Sequence, residues 1–395
     1  MAPAAKEKTV KKSSHVKDRG RGSRPKSDRA ADRRPTKSET EAIAAVTKGE
    51  LPLELLQLVL NVFQNTFAGR LADGGLTSLL QEVKGHLYNR DFDAAFGREE
   101  YLEAYAARWS PARALGYLKI FDSVIKDRLR DEEEPGEGNC EGLKVSCIGG
   151  GAGAEVAALA GAVRYRSDGK KQQRDAAEAL EELRVVDQTE RSVSVHATFV
   201  DMADWRHVID KLQQSITTAP PLSAYASAAA KANNVPLVSS TIFDVSFRQA
   251  DVLAMDDETL RNVVTGKDLV TICFTLNELY ATSLAKTQAF LLRLTGVVVK
   301  GSLLLVVDSA GSYSTVSLNG KEKKYPMHWL LDHALLKDAG YGSAEKQRDS
   351  EEAIPNRSWE KLRETESEWF RVPVGLEYPL ELENMRYQLH LYRKL

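Results

Sequence analysis

The sequence predicts an α/β protein. The expected core is a Rossmann-like, seven-stranded, mostly parallel sheet with a terminal antiparallel hairpin, preceded by a helical N-terminal region. Three observations carry this reading. A glycine-rich stretch, "KVSCIGGGAGAE" (144–155), joins a short apolar run to an alanine-rich one. Downstream, β-type apolar runs alternate with helical ones. The final stretch, "WFRVPVGLEYPLELENMRYQLHLYRKL", holds two β-type runs with no helical pattern between them. Alternation predicts parallel strands with covering helices, and adjacent β-runs predict an antiparallel edge.

At 395 residues and 43% hydrophobic content, the chain has room for about two domains, or one large domain with extensions. Its net charge is only −2, but the charge is unevenly spread. Residues 1–40 hold 13 Lys and Arg against 5 acids and almost no large apolar side chain. Such a segment buries too little to offset its ordering entropy, so 1–38 is expected to be a disordered basic tail. Its "KEKTVKKSSHVKDRGRGSRPK" suits a nuclear or nucleolar address or an RNA-contacting arm, and also a solubilising tail. No signal-peptide core and no apolar run near 18 residues is present, so the chain reads as soluble and intracellular. Cys140, Cys147 and Cys273 form no C-x-x-C pair or Cys/His cluster, so neither disulfides nor a metal site is expected.

Residues 39–135 read as helices. In "LPLELLQLVLNVFQNTF" leucine and valine recur at three- and four-residue spacing behind Pro52. "TSLLQEVKGHLYNRDF" repeats the pattern, and "EEYLEAYAARW" is amphipathic. "SPARALGYLKIFDSVIKDRL" reads as a new helix with Ser110 as N-cap and Pro111 in its first turn. "RDEEEPGEGN" then breaks the pattern, which places a domain boundary before the sheet domain, 140–395.

Leu143–Ile148 is the first strand and Ala152–Val163 the helix after the glycines. "RSDGKKQQRD" reads as a polar insertion. "SVSVHATFV" alternates as a second strand ending at Asp201, and "WRHVIDKLQQSI" is the next helix. "LVSSTIFDVSF" is strand-like, "DLVTICFTL" has the look of a central parallel strand, and "GSLLLVVDSA" is a fifth. "TSLAKTQAFLLRLTGV" is the helix between the last two.

Glycines after a strand let main-chain N–H groups approach a ligand, and the following helix N-terminus favours anionic or polar groups. Gly149, Gly151 and Ala154 fit the dinucleotide pattern G-x-G-x-x-[GA]; Gly149, Gly151 and Gly153 fit the G-x-G-x-G loop of S-adenosylmethionine enzymes. The terminal hairpin favours the second, because dinucleotide domains more often close with a sixth parallel strand. Ligands of such sheets lie outside the C-terminal strand ends. Four ends here carry polar groups: the glycine loop with Gly150 and Glu155, then Asp201, then Asp251-Val252, then Thr275-Leu276-Asn277-Glu278. An acid after the second strand suits ribose hydroxyls, and an acid with an apolar neighbour after the third suits adenine. Each acid taken singly is as well explained as a helix cap or loop residue.

"SCIGGGAGAE", "FTLNELYATSLAKTQAFLLRL", "LLLVVDSAGSYSTV" and "EEYLEAYAARWSPARALGY" resemble the fungal 25S rRNA uridine-N3 methyltransferases of the class I S-adenosylmethionine-dependent superfamily. The resemblance spans roughly 50–395. It implies S-adenosyl-L-methionine as cofactor, large-subunit rRNA or a pre-ribosome as partner, and a nuclear or nucleolar place in ribosome biogenesis. Many superfamily members carry an acid two residues before the first glycine. Cys147 stands there instead, which leaves Glu155 or main chain to serve the methionine end.

N3-methylation of uridine requires loss of the N3 proton and exposure of the Watson–Crick edge. Glu278 is the candidate base and Asn277 a positioning group; Tyr280 and Tyr313 are candidates to stack on the base. Arg108 and Arg113 about Trp109, and Lys321, Lys323 and Lys324 in a polar segment after the fifth strand, are the candidate RNA contacts. A protein or small-molecule methyltransferase, a non-catalytic RNA-binding assembly factor with the same core, and an NAD-dependent oxidoreductase are the alternatives.

Overall fold

The computed structural model describes residues 51–131, 142–179, 194–232, 234–318, 321–336 and 358–395. The basic tail and most of the "EEEPGEGN" break lie outside them. Leu51–Leu395 form one compact unit.

Five helices open it: α1 (Leu53–Thr66), α2 (Ala68–Leu71), α3 (Leu76–Tyr88), α4 (Phe92–Phe96) and α5 (Glu99–Asp131). Then come β1 (Leu143–Ile148), α6 (Ala154–Ala179), β2 (Val195–Asp201), α7 (Arg206–Thr217), α8 (Ala228–Ala232), β3 (Phe243–Gln249), α9 (Asp257–Val264) and β4 (Leu269–Cys273). The chain continues through α10 (Leu276–Thr282), α11 (Leu284–Val297), β5 (Leu303–Ser309), the hairpin β6 (Tyr313–Leu318) and β7 (Lys321–Pro326), α12 (Met327–Leu335), β8 (Trp359–Phe370) and β9 (Met385–Lys394). The main sheet has the order β3-β2-β1-β4-β5-β9-β8. Its first five strands are parallel, and β9 is antiparallel to both β5 and β8.

The central strands are buried on both faces, which explains their unbroken apolar runs. One core, including Phe63, Leu118, Phe121, Leu159 and Phe199, joins α1 and α5 to α6 and the sheet. A second, including Leu260, Leu291 and Tyr392, fills the other face. The opening helices therefore share a core with the sheet across the stretch where the sequence pattern breaks.

Several elements differ from expectation. The two helices read on either side of Ser110 are one helix of 33 residues, with Pro111 inside it. Ser110 is not an N-cap: its hydroxyl donates to the Ala152 carbonyl of the glycine loop, 2.6 Å away. An interior proline leaves the carbonyl four residues earlier without its helical donor. That carbonyl belongs to Ala107, and the Tyr378 hydroxyl donates to it at 2.7 Å. A long-range partner thus replaces the missing hydrogen bond, which local sequence cannot announce.

The polar insertion "RSDGKKQQRD" does not interrupt α6, which runs through it to Ala179. The expected central strand "DLVTICFTL" stops at Cys273, and Phe274 turns with φ 51°. The apolar run continues because Leu276, already in α10, is buried too. The helix expected from Thr282 is present from Leu284 to Val297, with Ser283 as N-cap accepting from Lys286 N–H, and α10 precedes it as a separate helix. The sixth strand lies earlier than its apolar ending suggests, at Trp359–Phe370. It is the sheet edge, and its alternation of exposed charges hides it from a hydropathy reading.

Tyr378→Phe should lower stability by about 1–2 kcal/mol, the cost of stranding a buried carbonyl. In a Pro111→Ala background the restored N–H supplies the bond, so the same change should cost much less. Urea unfolding of the four proteins of this cycle measures the difference.

Candidate active site

A cavity of about 460 Å³ opens at the C-terminal ends of β1, β2, β4 and β5. Ile148, Gly149 and Ala152 form its floor, with Asp201, Met202 and Trp205 after β2 and Ala250–Val252 after β3. Phe274, Thr275, Asn277 and Glu278 follow β4, and Asp308 and Ser309 end β5. The remaining wall comes from the opening helices: Leu87, Tyr88, Arg90, Phe92, Phe96, Tyr105 and Arg113.

The glycine loop is shaped mainly by what packs on it. Gly149 has φ +75°, and a Cβ there would meet the Thr275 side chain at 2.2 Å. A Cβ on Gly151 would meet the Trp205 ring at 2.1 Å. Gly150 and Gly153 likewise face protein, toward Glu155 and Leu212. Of the four glycines expected to touch a ligand, only Gly149 lines the cavity.

Trp205, seated on Gly151, contacts Phe96 and Tyr105 at ring-centre distances of 5.2 and 5.8 Å. Tyr105 in turn contacts Trp109 at 4.9 Å. This aromatic column holds the helical wall against the glycine loop.

Asp201 accepts from Gly151 N–H at 3.1 Å and Ala203 N–H at 3.2 Å. Burial raises its carboxyl to about 6, against those N–H groups, which favour the charged form. Asp201 nonetheless lines the cavity, where a ligand can reach its carboxylate. Asp251 accepts from Leu253 N–H at 2.9 Å and is otherwise exposed beside buried Val252.

Glu155 does not line the cavity. It is buried beneath the loop and accepts from the Thr271 hydroxyl at 2.7 Å. Burial raises its carboxyl to about 7, the Thr271 hydroxyl opposing. Its neighbours Cys147 and Cys273 are buried, and burial holds both thiols well above their ordinary range, so they are core groups.

Asp308 at the end of β5 accepts from Asn277 N–H at 3.0 Å and Ser309 N–H at 2.7 Å. It therefore caps α10, which has no N-cap side chain of its own. Burial raises its carboxyl to about 6, against those two N–H groups. Glu278 is free of that duty and faces the cavity, its Oε2 3.5 Å from Arg90 Nη1.

The two non-glycine residues with left-handed backbone among the described residues are Arg90 (φ 56°) and Phe274 (φ 51°), and both line this cavity. Such conformations cost about 1 kcal/mol or more each and persist where surroundings impose them.

The expected RNA grip about Trp109 is assembled only in part: the Arg108 guanidinium lies 5.8 Å from the Trp109 ring centre, but Arg113 points elsewhere. Arg108 pairs with Glu383 and donates to the Glu381 carbonyl, on the β8–β9 connection. Arg113, five residues on, is rotated by roughly 140° around the helix. It faces the cavity, donates to the Tyr105 hydroxyl at 3.0 Å and lies 5.0 Å from the Phe274 ring centre. Among the described residues no carboxylate is within ion-pairing distance of Arg113. Lys321, Lys323 and Lys324 lie on strand β7 of the two-stranded hairpin rather than in a loop, and Lys324 is exposed. Tyr280 is a core residue whose hydroxyl accepts from Gln288, not a stacking platform. Tyr313 starts β6, and its side chain lies outside the description. Sequence reasoning missed Tyr88, Arg90 and Phe274. Arg90 occupies a helix C-terminal position where glycine is usual, and that mismatch was the available signal.

Glu99, Glu103 and His207 bring three potential metal donors together. Both Glu103 oxygens, however, are already taken by Lys211 and Arg70.

A sheet ordered 3-2-1-4-5 and closed by an antiparallel hairpin, with a glycine loop and acids at successive strand ends, defines a class I S-adenosylmethionine-dependent methyltransferase. The profile of the family described as "Putative SAM-dependent methyltransferase" matches residues 63–393, and the chain belongs to that family. It is 32% identical over 351 residues to the 25S rRNA (uridine(2843)-N(3))-methyltransferase of Saccharomyces cerevisiae, covering 86% of this chain and 85% of that protein. Among solved structures, magnesium protoporphyrin IX methyltransferase from Synechocystis PCC 6803 with bound SAM is similar at 12% identity. That match covers 88% of this chain and 100% of the other, with a TM-score of 0.31. A methyltransferase from Methanosarcina mazei matches at 9% identity over 65% and 93%, with a TM-score of 0.31. Likenesses of that size carry no argument about the site.

Glu155 titrates at about 7 in the folded chain, above its ordinary 4.5. Its contribution to stability is therefore full below about pH 4.5 and lost as pH rises through 7. Glu155→Gln should gain about 1–3 kcal/mol over the wild type at pH 8. That gain should vanish below about pH 5, as denaturant midpoints compared across pH will show.

Proposed function

We propose that the protein methylates N3 of a uridine in large-subunit rRNA during ribosome assembly, in the nucleus or nucleolus. The observation that carries this is the similarity to the yeast enzyme along most of both chains. The cavity supports it, because it presents a carboxylate, Glu278, where a base to be deprotonated would enter.

The described residues fit the cofactor. Gly149 brings main chain to the cavity floor, Asp201 lines the cavity as an acceptor for ribose hydroxyls, and Asp251 with Val252 suits the adenine edge and face. Thr275 closes the floor over Gly149. Arg113, which makes no ion pair among the described residues and has Asp308 as its more distant counter-charge, takes the methionine carboxylate. Bound S-adenosylmethionine supplies a sulfonium methyl group. The Glu278 carboxylate accepts the N3 proton, which leaves the N3 electron pair free for the methyl group that the cofactor would supply. Catalysis then rests on positioning and on proton removal. Lys321, Lys323 and Lys324 on the hairpin and the N-terminal tail supply phosphate contacts, which carry affinity without sequence information.

Among the described residues no helix is long and apolar enough to cross a membrane.

Nucleoside mass spectrometry of large-subunit rRNA from cells with and without the protein tests the assignment. An unchanged level of 3-methyluridine would overturn it. Arg113→Met should weaken binding of S-adenosylhomocysteine by about 10–100-fold, the loss of a charge-assisted pair. Binding of methylthioadenosine, which lacks the carboxylate, should change less than twofold in the same titration. Glu278→Gln should slow single-turnover methylation by about 10²–10⁴-fold with cofactor affinity retained. Its residual rate should rise with pH as uridine ionises unaided.

A further inference from the structure

We infer that Arg90, Glu278 and Asn277 form a donor–acceptor–donor row that reads the Watson–Crick edge of uracil, with Arg90 as the specificity-determining residue; this rests on the uridine-N3 reading above.

Four observations meet at this place. Arg90 Nη1 lies 3.5 Å from Glu278 Oε2, at ion-pair range but without a hydrogen bond. Glu278 Oε2 is shielded from solvent and has no hydrogen-bond partner, a costly state unless a donor arrives. The Asn277 side chain lines the same cavity and makes no hydrogen bond among the described residues, since only its main-chain N–H is used, by Asp308. Arg90 itself is held with φ 56° at the end of α3.

The local geometry makes that last point informative. Asp91 N–H donates to the His86 carbonyl at 3.0 Å, and Arg90 N–H to the Leu87 carbonyl at 3.1 Å. This pair of bonds is a Schellman ending, in which the left-handed residue is usually glycine. An arginine there strains the backbone in order to place its side chain, because glycine would make the same turn without strain. The neighbouring Tyr88 is 89% exposed at the cavity mouth, an aromatic face with no ring partner among the described residues.

Uracil presents an acceptor, a donor and an acceptor: O4, N3–H and O2. The row presents the complement. Glu278 accepts N3–H, while the Arg90 guanidinium and the Asn277 carboxamide donate to the two carbonyl oxygens. Tyr88 covers the base that enters. Cytosine would set its exocyclic N–H donor against one of these donors and leave Glu278 facing an unprotonated N3. Mismatches of that kind are what separate related substrates strongly. The arginine also favours reaction, because the charge that appears on the carbonyl oxygens as N3 loses its proton faces a fixed cation.

Arg90→Gly separates this role from a structural one, since glycine suits the turn better than arginine. The variant should melt at or above the wild-type temperature and bind S-adenosylhomocysteine within twofold of it. Single-turnover methylation of large-subunit rRNA from cells lacking the protein should fall by about 10²–10³-fold. The residual rate should rise with pH more steeply than that of the wild type. Arg90→Lys, which keeps the charge but not the fork, should recover part of the rate. Near wild-type methylation by Arg90→Gly, or a joint loss of melting temperature and cofactor affinity, would overturn the row while leaving the uridine reading intact. Methylation by the wild type of a nucleotide other than uridine would overturn both.

Discussion

The contact between Gly151 and Trp205 is the constraint on which the rest of the site depends. No side chain fits between them. With Trp205 seated there, Asp201 is brought to the Gly151 N–H, and Phe96 and Tyr105 pack against the same ring. The glycine loop, the acid after β2 and the helical wall are thereby fixed by one indole. The opening helices are accordingly part of the active site, supplying Arg90 and Arg113 to a cavity whose floor belongs to the sheet.

Charge in the cavity is divided by burial. Asp201 and Asp308 are enclosed and committed to main-chain N–H groups, and their carboxyls sit near 6. Glu155 is enclosed entirely and serves the core. Glu278, next to the Asn277 N–H that Asp308 accepts from, keeps its side chain partly exposed, with the shielded Oε2 3.5 Å from Arg90. Asp308 makes this division possible: by satisfying α10, it releases Glu278 from the capping duty that its position in the first turn would otherwise assign.

Strain is concentrated at the same place. Phe274 turns the chain out of β4 in a left-handed conformation and carries Arg113 over its ring, while Arg90 ends α3 in the same conformation opposite Glu278. Both turns are covered by hydrogen bonds, from Phe274 N–H to Val307 and from Arg90 and Asp91 N–H to the end of α3. The fold therefore holds these two side chains at a backbone cost that a purely structural turn would avoid.

The sequence by itself determined the sheet, its parallel and antiparallel parts, and the strand ends at which the cavity opens. Buried strands, glycine turns and amphipathic helices are local patterns, and β1 and the end of β2 at Asp201 are legible to the residue. The candidate site was legible at Gly149, Asp201, Asp251, Thr275, Asn277 and Glu278, because strand ends converge in this topology. Tertiary structure alone decided the rest. Pro111 could sit inside a helix because Tyr378, 271 residues from Ala107, completes the hydrogen bond. Glu155 was drawn into the core by Thr271, and Arg108 and Arg113 were sent to opposite sides of one helix. Arg90 became a cavity residue because α3 packs against α4 and α5, which form the helical wall. Each of these outcomes depends on a partner distant in sequence, and a pattern read along the chain carries no record of which distant group will arrive.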